Sequence, residues 1–162
     1  MKRTFLKSTP RTVWFLLMLV GGMQTIVAAQ SVNARHNRIV GVWDVQVNVL
    51  NCSTGAQLAS FRALHKYELG GTAQVVPATN PAALSAHMGI WNYVQENDYK
   101  LAFKMFRFDP AGNNIGWVIV RSNVAINEDA TEYTGSGQAE FFDSNGNSVG
   151  TSCPSFHGTR FE

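Results

Sequence analysis

Apolar and polar residues alternate along most of the chain after residue 40. The segment 43–49 (WDVQVNV) shows this most clearly, because every second residue is tryptophan or valine. A period of two is typical of a β-strand with one buried face. The same pattern predicts seven further strands, at 61–67, 72–76, 88–95, 99–108, 115–126, 131–142 and 148–161. The sequence therefore predicts an all-β domain of eight strands.

The segments between these strands are short and consist mostly of turn-forming residues. Gly70-Gly71 predicts a hairpin turn, and the other links are rich in Asp, Asn, Gly and Pro. The longest link, 77–86 (PATNPAALSA), contains two prolines and predicts a loop. Short, uniform links favour an antiparallel up-and-down meander, and eight such strands close into a β-barrel. An open sandwich is the alternative.

Two pairs of residues indicate that the first strand meets the last one. Partners in antiparallel strands have residue numbers with a constant sum. Trp43 and Arg160 sum to 203, and the only two cysteines, Cys52 and Cys153, sum to 205. The two sums differ by only two, so both pairs fit one antiparallel pairing of the first strand with the last. This pairing predicts a closed barrel with Trp43 and Arg160 at one end and the two cysteines at the opposite end.

The first 29 residues have a different character. An apolar run at 13–20 (VWFLLMLV) is preceded by four cations, Lys2, Arg3, Lys7 and Arg11. Small residues before Gln30 complete the pattern of a secretory signal peptide over 1–29. Gly21-Gly22 interrupts the run before it reaches the about 20 residues of a membrane span. We therefore expect an exported protein, periplasmic or extracellular, with no stable membrane anchor after cleavage. A lead-in over 30–38 would then precede a barrel domain over 39–162.

Removal of the signal peptide changes the charge of the protein. Four of the thirteen Lys and Arg residues leave with it and all eleven Asp and Glu residues remain, so the mature chain carries a net charge of −2. No run of Lys or Arg is left, which argues against a nucleic-acid partner. In an oxidising compartment Cys52 and Cys153 predict a disulfide, since their spacing is not the CxxC of redox pairs.

Short motifs at both ends of the predicted barrel resemble a known family. Gly41-Val42-Trp43 opens the first strand and Gly158-Thr159-Arg160 closes the last, which resembles the lipocalin and wider calycin pattern. The chain also looks like an uncharacterised group of exported bacterial calycin-like proteins, on the motifs CSTG, HMGIW, FDPAG and FFDSNG in this order. The resemblance implies that Trp43 plugs a closed end of the barrel and that Arg160 packs across it. Gly41, Trp43 and Arg160 are therefore expected to be structural.

The phase of each strand predicts which side chains line a pocket inside the barrel. The candidates are His65, Tyr67, Trp91, Tyr93, Phe103, Met105, Trp117, Arg121, Tyr133, Gly135 and Gly137. The two glycines carry no side chain, which either opens space for a ligand or allows a tightly coiled barrel wall. Polar groups that could bind a ligand within this set are His65, Arg121 and Tyr133.

The chemistry of the sequence favours binding over catalysis. The four histidines lack the spacing of a zinc site, no nucleophile motif such as G-x-S-x-G is present, and no cofactor is predicted. We therefore expect non-catalytic binding of a small, largely apolar molecule in the barrel. Two alternatives stay open. One is a barrel isomerase or cyclase of the allene oxide cyclase type, with interior acid or base groups such as His65, Tyr133 or Glu140. The other is an envelope or partner-binding module with a filled barrel.

Overall fold

The strands predicted from the alternation are present in the structure. The structure is a computed structural model that describes residues 36–162; the predicted signal peptide, 1–29, and most of the lead-in, 30–38, lie outside the described residues. Residues 36–162 form eight strands: β1 (Gly41–Leu50), β2 (Gln57–Tyr67), β3 (Thr72–Pro77), β4 (His87–Gln95), β5 (Asp98–Phe108), β6 (Asn114–Ile126), β7 (Glu132–Phe142) and β8 (Ser148–Arg160). In this part of the chain no helix is long and apolar enough to cross a membrane.

The sheet closes on itself. Every strand pairs antiparallel with its neighbours along the chain, and β1 also pairs with β8. In the β1–β8 ladder Trp43 lies opposite Arg160 and Val47 lies opposite Phe156. The residue numbers of both pairs sum to 203, the value that tryptophan and arginine predicted. The closed up-and-down barrel is therefore confirmed, and the open sandwich is excluded.

A disulfide joins the same two strands at their other end. Cys52 follows β1, and Cys153 lies in β8 opposite Leu50. The two cysteines are bonded, with their Cα atoms 5.1 Å apart. Cys153 stands between the buried residues Ser152 and Pro154, so its side chain lies on the outer face of the wall. The predicted disulfide is confirmed.

The inward orientation predicted for Trp117 and Arg121 in β6 is wrong. Val118 and Ser122 are buried, whereas the Arg121 side chain is 63% exposed. Trp117 also lies on the outer face, where its ring stacks on that of Phe142 with 5.5 Å between centroids. Both faces of this strand carry apolar residues, so alternation alone does not distinguish the inner face from the outer one.

The glycines of β7 allow a close approach between strands. A Cβ atom on Gly135 would lie 2.5 Å from Val124 Cγ1 and 2.6 Å from the Asn123 carbonyl oxygen. A Cβ atom on Gly137 would lie 2.6 Å from Ser122 Cβ. All of these distances are shorter than van der Waals contact, so larger residues would force β7 away from β6. The structure thus supports the tightly coiled wall, which was one of the two interpretations of these glycines.

The longest link, 78–86, is attached to the end of β5. The Ser85 N–H donates a hydrogen bond of 3.0 Å to the Phe106 carbonyl oxygen. Leu84 forms an isolated β-bridge with Arg107. These contacts hold the loop beside one end of the barrel.

Candidate ligand-binding site

One end of the barrel is filled by Trp43 and covered by Arg160. Trp43 is completely buried, and its Nε1–H donates a hydrogen bond of 2.8 Å to the Ile39 carbonyl oxygen. The Arg160 guanidinium lies 4.2 Å from the centroid of the indole ring. It also donates hydrogen bonds to the carbonyl oxygens of Arg38, Val40 and Ala130. Gly41 has a φ of 133°, and a Cβ atom there would lie 2.7 Å from Arg160 Nη1. The arrangement is a structural closure.

Large aromatic side chains fill the space next to this closure. Tyr133 packs edge-on against Trp43, with 5.0 Å between ring centroids. The packing is completed by four further aromatic residues, Tyr67, Trp91, Tyr93 and Tyr99. This half of the barrel is therefore a dense core.

His65 stands between the dense core and the other half of the barrel. It lies opposite Trp43 in the β1–β2 ladder. Its Nδ1 atom is 2.9 Å from the Tyr133 hydroxyl oxygen and 3.1 Å from the Tyr67 hydroxyl oxygen. The two hydroxyl oxygens are 3.4 Å apart. All three side chains are buried, so water does not compete for these hydrogen bonds.

Burial keeps this cluster uncharged. Removal from water disfavours the charged form of any titratable group. Burial and the nearby His87 lower the pKa of His65 to about 3. Burial lowers the pKa of His87 to about 4, and it raises the pKa values of Tyr67 and Tyr133 well above that of a free tyrosine. All four side chains are therefore neutral at neutral pH.

A cavity of about 200 Å³ occupies the half of the barrel beyond His65. All eight strands and the loop 78–86 contribute to its walls. The lining residues are Val47, Val49, Phe61, His65, Val75, Leu84, His87, Phe103, Met105, Arg107, Val118, Val120, Ala139, Phe141, Ser152 and Pro154. Most of the wall is aliphatic or aromatic, so the cavity is suited to an apolar molecule.

Few polar groups face this cavity. They belong to four of the lining residues: His65, His87, Arg107 and Ser152. Arg107 lies beside the loop residue Leu84, and its guanidinium carbon is 5.5 Å from the centroid of the Phe141 ring. In the described part of the chain no carboxylate lines the cavity, and no group of three or more His, Cys, Asp or Glu side chains is placed to hold a metal ion.

The strand register brings the two histidines to one level of the barrel. His65 lies opposite Val75 in the β2–β3 ladder, and Val75 lies opposite His87 in the β3–β4 ladder. The Nε2 atoms of both histidines are buried and have no hydrogen-bond partner among residues 36–162. A buried polar atom without a partner costs about 1–3 kcal/mol, so each of these two atoms lowers the stability of the folded barrel.

The structure divides the predicted pocket residues into separate groups. The wall of the cavity contains His65, Phe103 and Met105. The dense core contains Tyr67, Trp91, Tyr93 and Tyr133. The contact between β6 and β7 contains Gly135 and Gly137. The outer face of the barrel carries Trp117 and Arg121.

Sequence reasoning missed several lining residues. His87 shares the parity of Trp91, so extension of that predicted strand by one residue would have placed it inside. Arg107 lies within the predicted strand 99–108 and has the same parity as Phe103 and Met105, so the same reasoning would have placed it inside. The wrong phase for β6 concealed Val118 and Val120.

Comparison with known proteins gives distant barrel likenesses and no family. No protein family and no curated protein matches the chain. A redesigned β-barrel aligns with 78% of this chain and 94% of its own, at 13% identity and a TM-score of 0.43. Rv2717c from M. tuberculosis aligns with 77% of this chain and 94% of its own, at 10% identity and a TM-score of 0.40. Likenesses this distant carry no functional argument, so the resemblance to exported lipocalin-like proteins stays a prediction.

Proposed function

We propose that this protein is exported and that its barrel binds, without catalysis, a small and largely apolar molecule. The observation that carries the proposal is the cavity of about 200 Å³ with its apolar wall. Binding pockets for small molecules combine mostly hydrophobic walls with a few placed polar groups. The polar residues that line this cavity are His65, His87, Arg107 and Ser152.

The volume of the cavity limits the size of the ligand. Pockets for drug-sized molecules occupy about 300–1,000 Å³, whereas an apolar cavity of about 150 Å³ holds benzene. A volume of about 200 Å³ therefore suits a single ring or a short chain. Phe61 and Phe103 supply aromatic walls for such a ligand.

The protonation states favour binding over an isomerase or cyclase. A general acid or base works best when its pKa lies near the pH of its surroundings. His65 has a pKa of about 3 and His87 one of about 4, so neither exchanges protons readily at neutral pH. Glu140 lies on the outer face, where its Oε2 is 3.9 Å from Arg121 Nη1. The cavity itself weighs against a filled-barrel module.

Native mass spectrometry of the protein purified from its own host tests this proposal. A bound molecule adds its mass to that of the folded chain. Ala139 lines the cavity, so Ala139→Phe should fill the space and abolish the added mass. Ala125 is exposed on the neighbouring strand, so Ala125→Phe is the matched control and should retain it. Thermal unfolding of both variants verifies that they fold.

Two results would contradict the proposal. The first is a wild-type barrel that carries no small molecule and takes up no toluene in an NMR titration. The second is an added mass that persists in Ala139→Phe. Export is tested separately by N-terminal sequencing of the purified protein, which should begin at Gln30. A chain that still begins at Met1 would contradict cleavage.

A further inference from the structure

The Arg107 side chain extends from the end of β5 across the inner side of the barrel. Arg107 lies opposite Gly116 of β6, and Phe141 lies one strand further on, in β7. The Arg107 guanidinium carbon is nevertheless 5.5 Å from the centroid of the Phe141 ring, and both residues line the cavity. The side chain therefore crosses β6 on its inner face, where Gly116 has no side chain to block the path. Because Arg107 is half-buried, it borders both the cavity and solvent.

The positive charge of Arg107 is not balanced by a carboxylate of the described residues. The ion pairs among residues 36–162 involve other side chains. The adjacent turns contain Asp109 and Asp143, but these carboxylates accept hydrogen bonds from Asn113 and Asn147 within their own turns. No carboxylate of the described chain lines the cavity either. A bound anion would therefore supply the counter-charge that Arg107 lacks.

We propose that the cavity binds a small apolar carboxylic acid, with the hydrocarbon part inside the cavity and the carboxylate paired with Arg107. A guanidinium presents parallel N–H donors that match the two oxygens of a carboxylate. The volume of about 200 Å³ suits a hydrocarbon part of a single ring or a short chain. The carboxylate stays at the partly exposed end, which avoids the cost of a charge buried deep in the barrel. This inference rests on the proposed binding function and names the class of its ligand.

A matched pair of probes tests the inference. Phenylacetate and phenylacetamide have nearly the same shape, but only phenylacetate is an anion at neutral pH. Their dissociation constants for the mature protein are measured by NMR titration at low ionic strength, because salt screens ion pairs between partly exposed groups. Phenylacetate should bind about tenfold or more tightly than phenylacetamide, because a charge-assisted pair is stronger than a neutral hydrogen bond.

Two arginine variants distinguish a contact with Arg107 from an effect of the net charge. Arg107→Gln should remove the preference for phenylacetate. Arg121 is 63% exposed on the outer face of the barrel, so Arg121→Gln loses the same charge and should keep the preference. Thermal unfolding of both variants verifies that they fold.

A measurement on the wild-type protein does not depend on how the variants fold. The nitrogen NMR signal of the Arg107 Nε–H group should shift when phenylacetate is added and should stay in place with phenylacetamide. A signal that does not respond to bound phenylacetate would overturn the pairing with Arg107.

The other outcomes separate the two proposals. Equal binding of both probes, or a preference that persists in Arg107→Gln, would overturn the pairing and leave apolar binding intact. A preference that is lost in Arg121→Gln as well would also overturn it, since net charge alone would then explain the result. Uptake of toluene without phenylacetate would overturn this inference alone. If none of the three probes binds, the proposed function is overturned together with it.

Discussion

The two halves of the barrel are stabilised in different ways. In the half closed by Trp43, aromatic rings fill the interior and the Arg160 guanidinium donates to three backbone carbonyl oxygens. In the other half the walls surround a cavity, and two buried nitrogen atoms have no partner among residues 36–162. A wall that faces a cavity loses the dispersion contacts of close packing. The comparison indicates that the dense half supplies more of the stability, while the cavity half leaves part of the barrel interior unfilled.

The cavity half has its own constraints. The disulfide between Cys52 and Cys153 closes the end of β1 that contributes Val47 and Val49 to the cavity. The loop 78–86 is bonded to the end of β5 at the same cavity. Covalent and backbone links therefore add to the side-chain packing of this half, where Met105, Val118 and Ala139 form a small buried cluster.

The largest expected effect is the loss of the aromatic closure. Trp43→Ala should lower the free energy of unfolding by about 3–5 kcal/mol, because it removes a completely buried side chain from a dense core. Chemical denaturation measures this loss. Trp117→Ala is the control, since Trp117 stacks on Phe142 on the outer face and should cost only about 1 kcal/mol. Equal losses in Trp43→Ala and Trp117→Ala would contradict the conclusion that the half closed by Trp43 supplies more of the stability.

Removal of the disulfide should have the next largest effect. Cys52→Ser combined with Cys153→Ser should cost about 2–4 kcal/mol, because the bond closes a long loop in the unfolded chain. Hydrogen exchange should also increase more at Leu50 than at Trp43, since the cavity half has less packing to hold it. Equal increases at both positions would show that the bond acts only on the unfolded chain.

In mild acid, each of the two buried histidines should have a smaller effect on stability than the disulfide. Their folded pKa values of about 3 and about 4 lie below the unfolded value, so the unfolded chain binds protons first as the pH falls below about 6.5. The free energy of unfolding should therefore fall by about 2 kcal/mol per histidine between about pH 7.5 and about pH 5. The groups around His65 are Tyr67, Tyr133 and His87, all neutral in this range.

Single variants distinguish the contributions of His65 and His87 to this pH dependence. His87→Leu should remove about half of this pH dependence, as measured by denaturation at several pH values. His157 is exposed on β8, so His157→Leu is the control for replacement of a histidine that is not buried. A stability that stays constant between about pH 7.5 and about pH 5 would contradict the burial of neutral histidines.

The strand order and the closure of this barrel could be predicted because they depend on local patterns. Period-two alternation located all eight strands, and the numbers of Trp43 and Arg160 predicted the register of β1 against β8. The phase of the alternation in β2 also placed His65 on the inner face. In β6 the same reasoning failed, because Ile119 and Val120 give both faces an apolar character.

The set of strands, the disulfide and the pairing of Trp43 with Arg160 could be predicted from the sequence, since each follows from spacing along one or two segments. The position of the empty space could not be predicted in this way, because a cavity is what remains after side chains from all eight strands have been packed. The same holds for the pairing of His65 with the two tyrosines and its alignment with His87. These contacts join residues that are distant in sequence, and no local pattern records them.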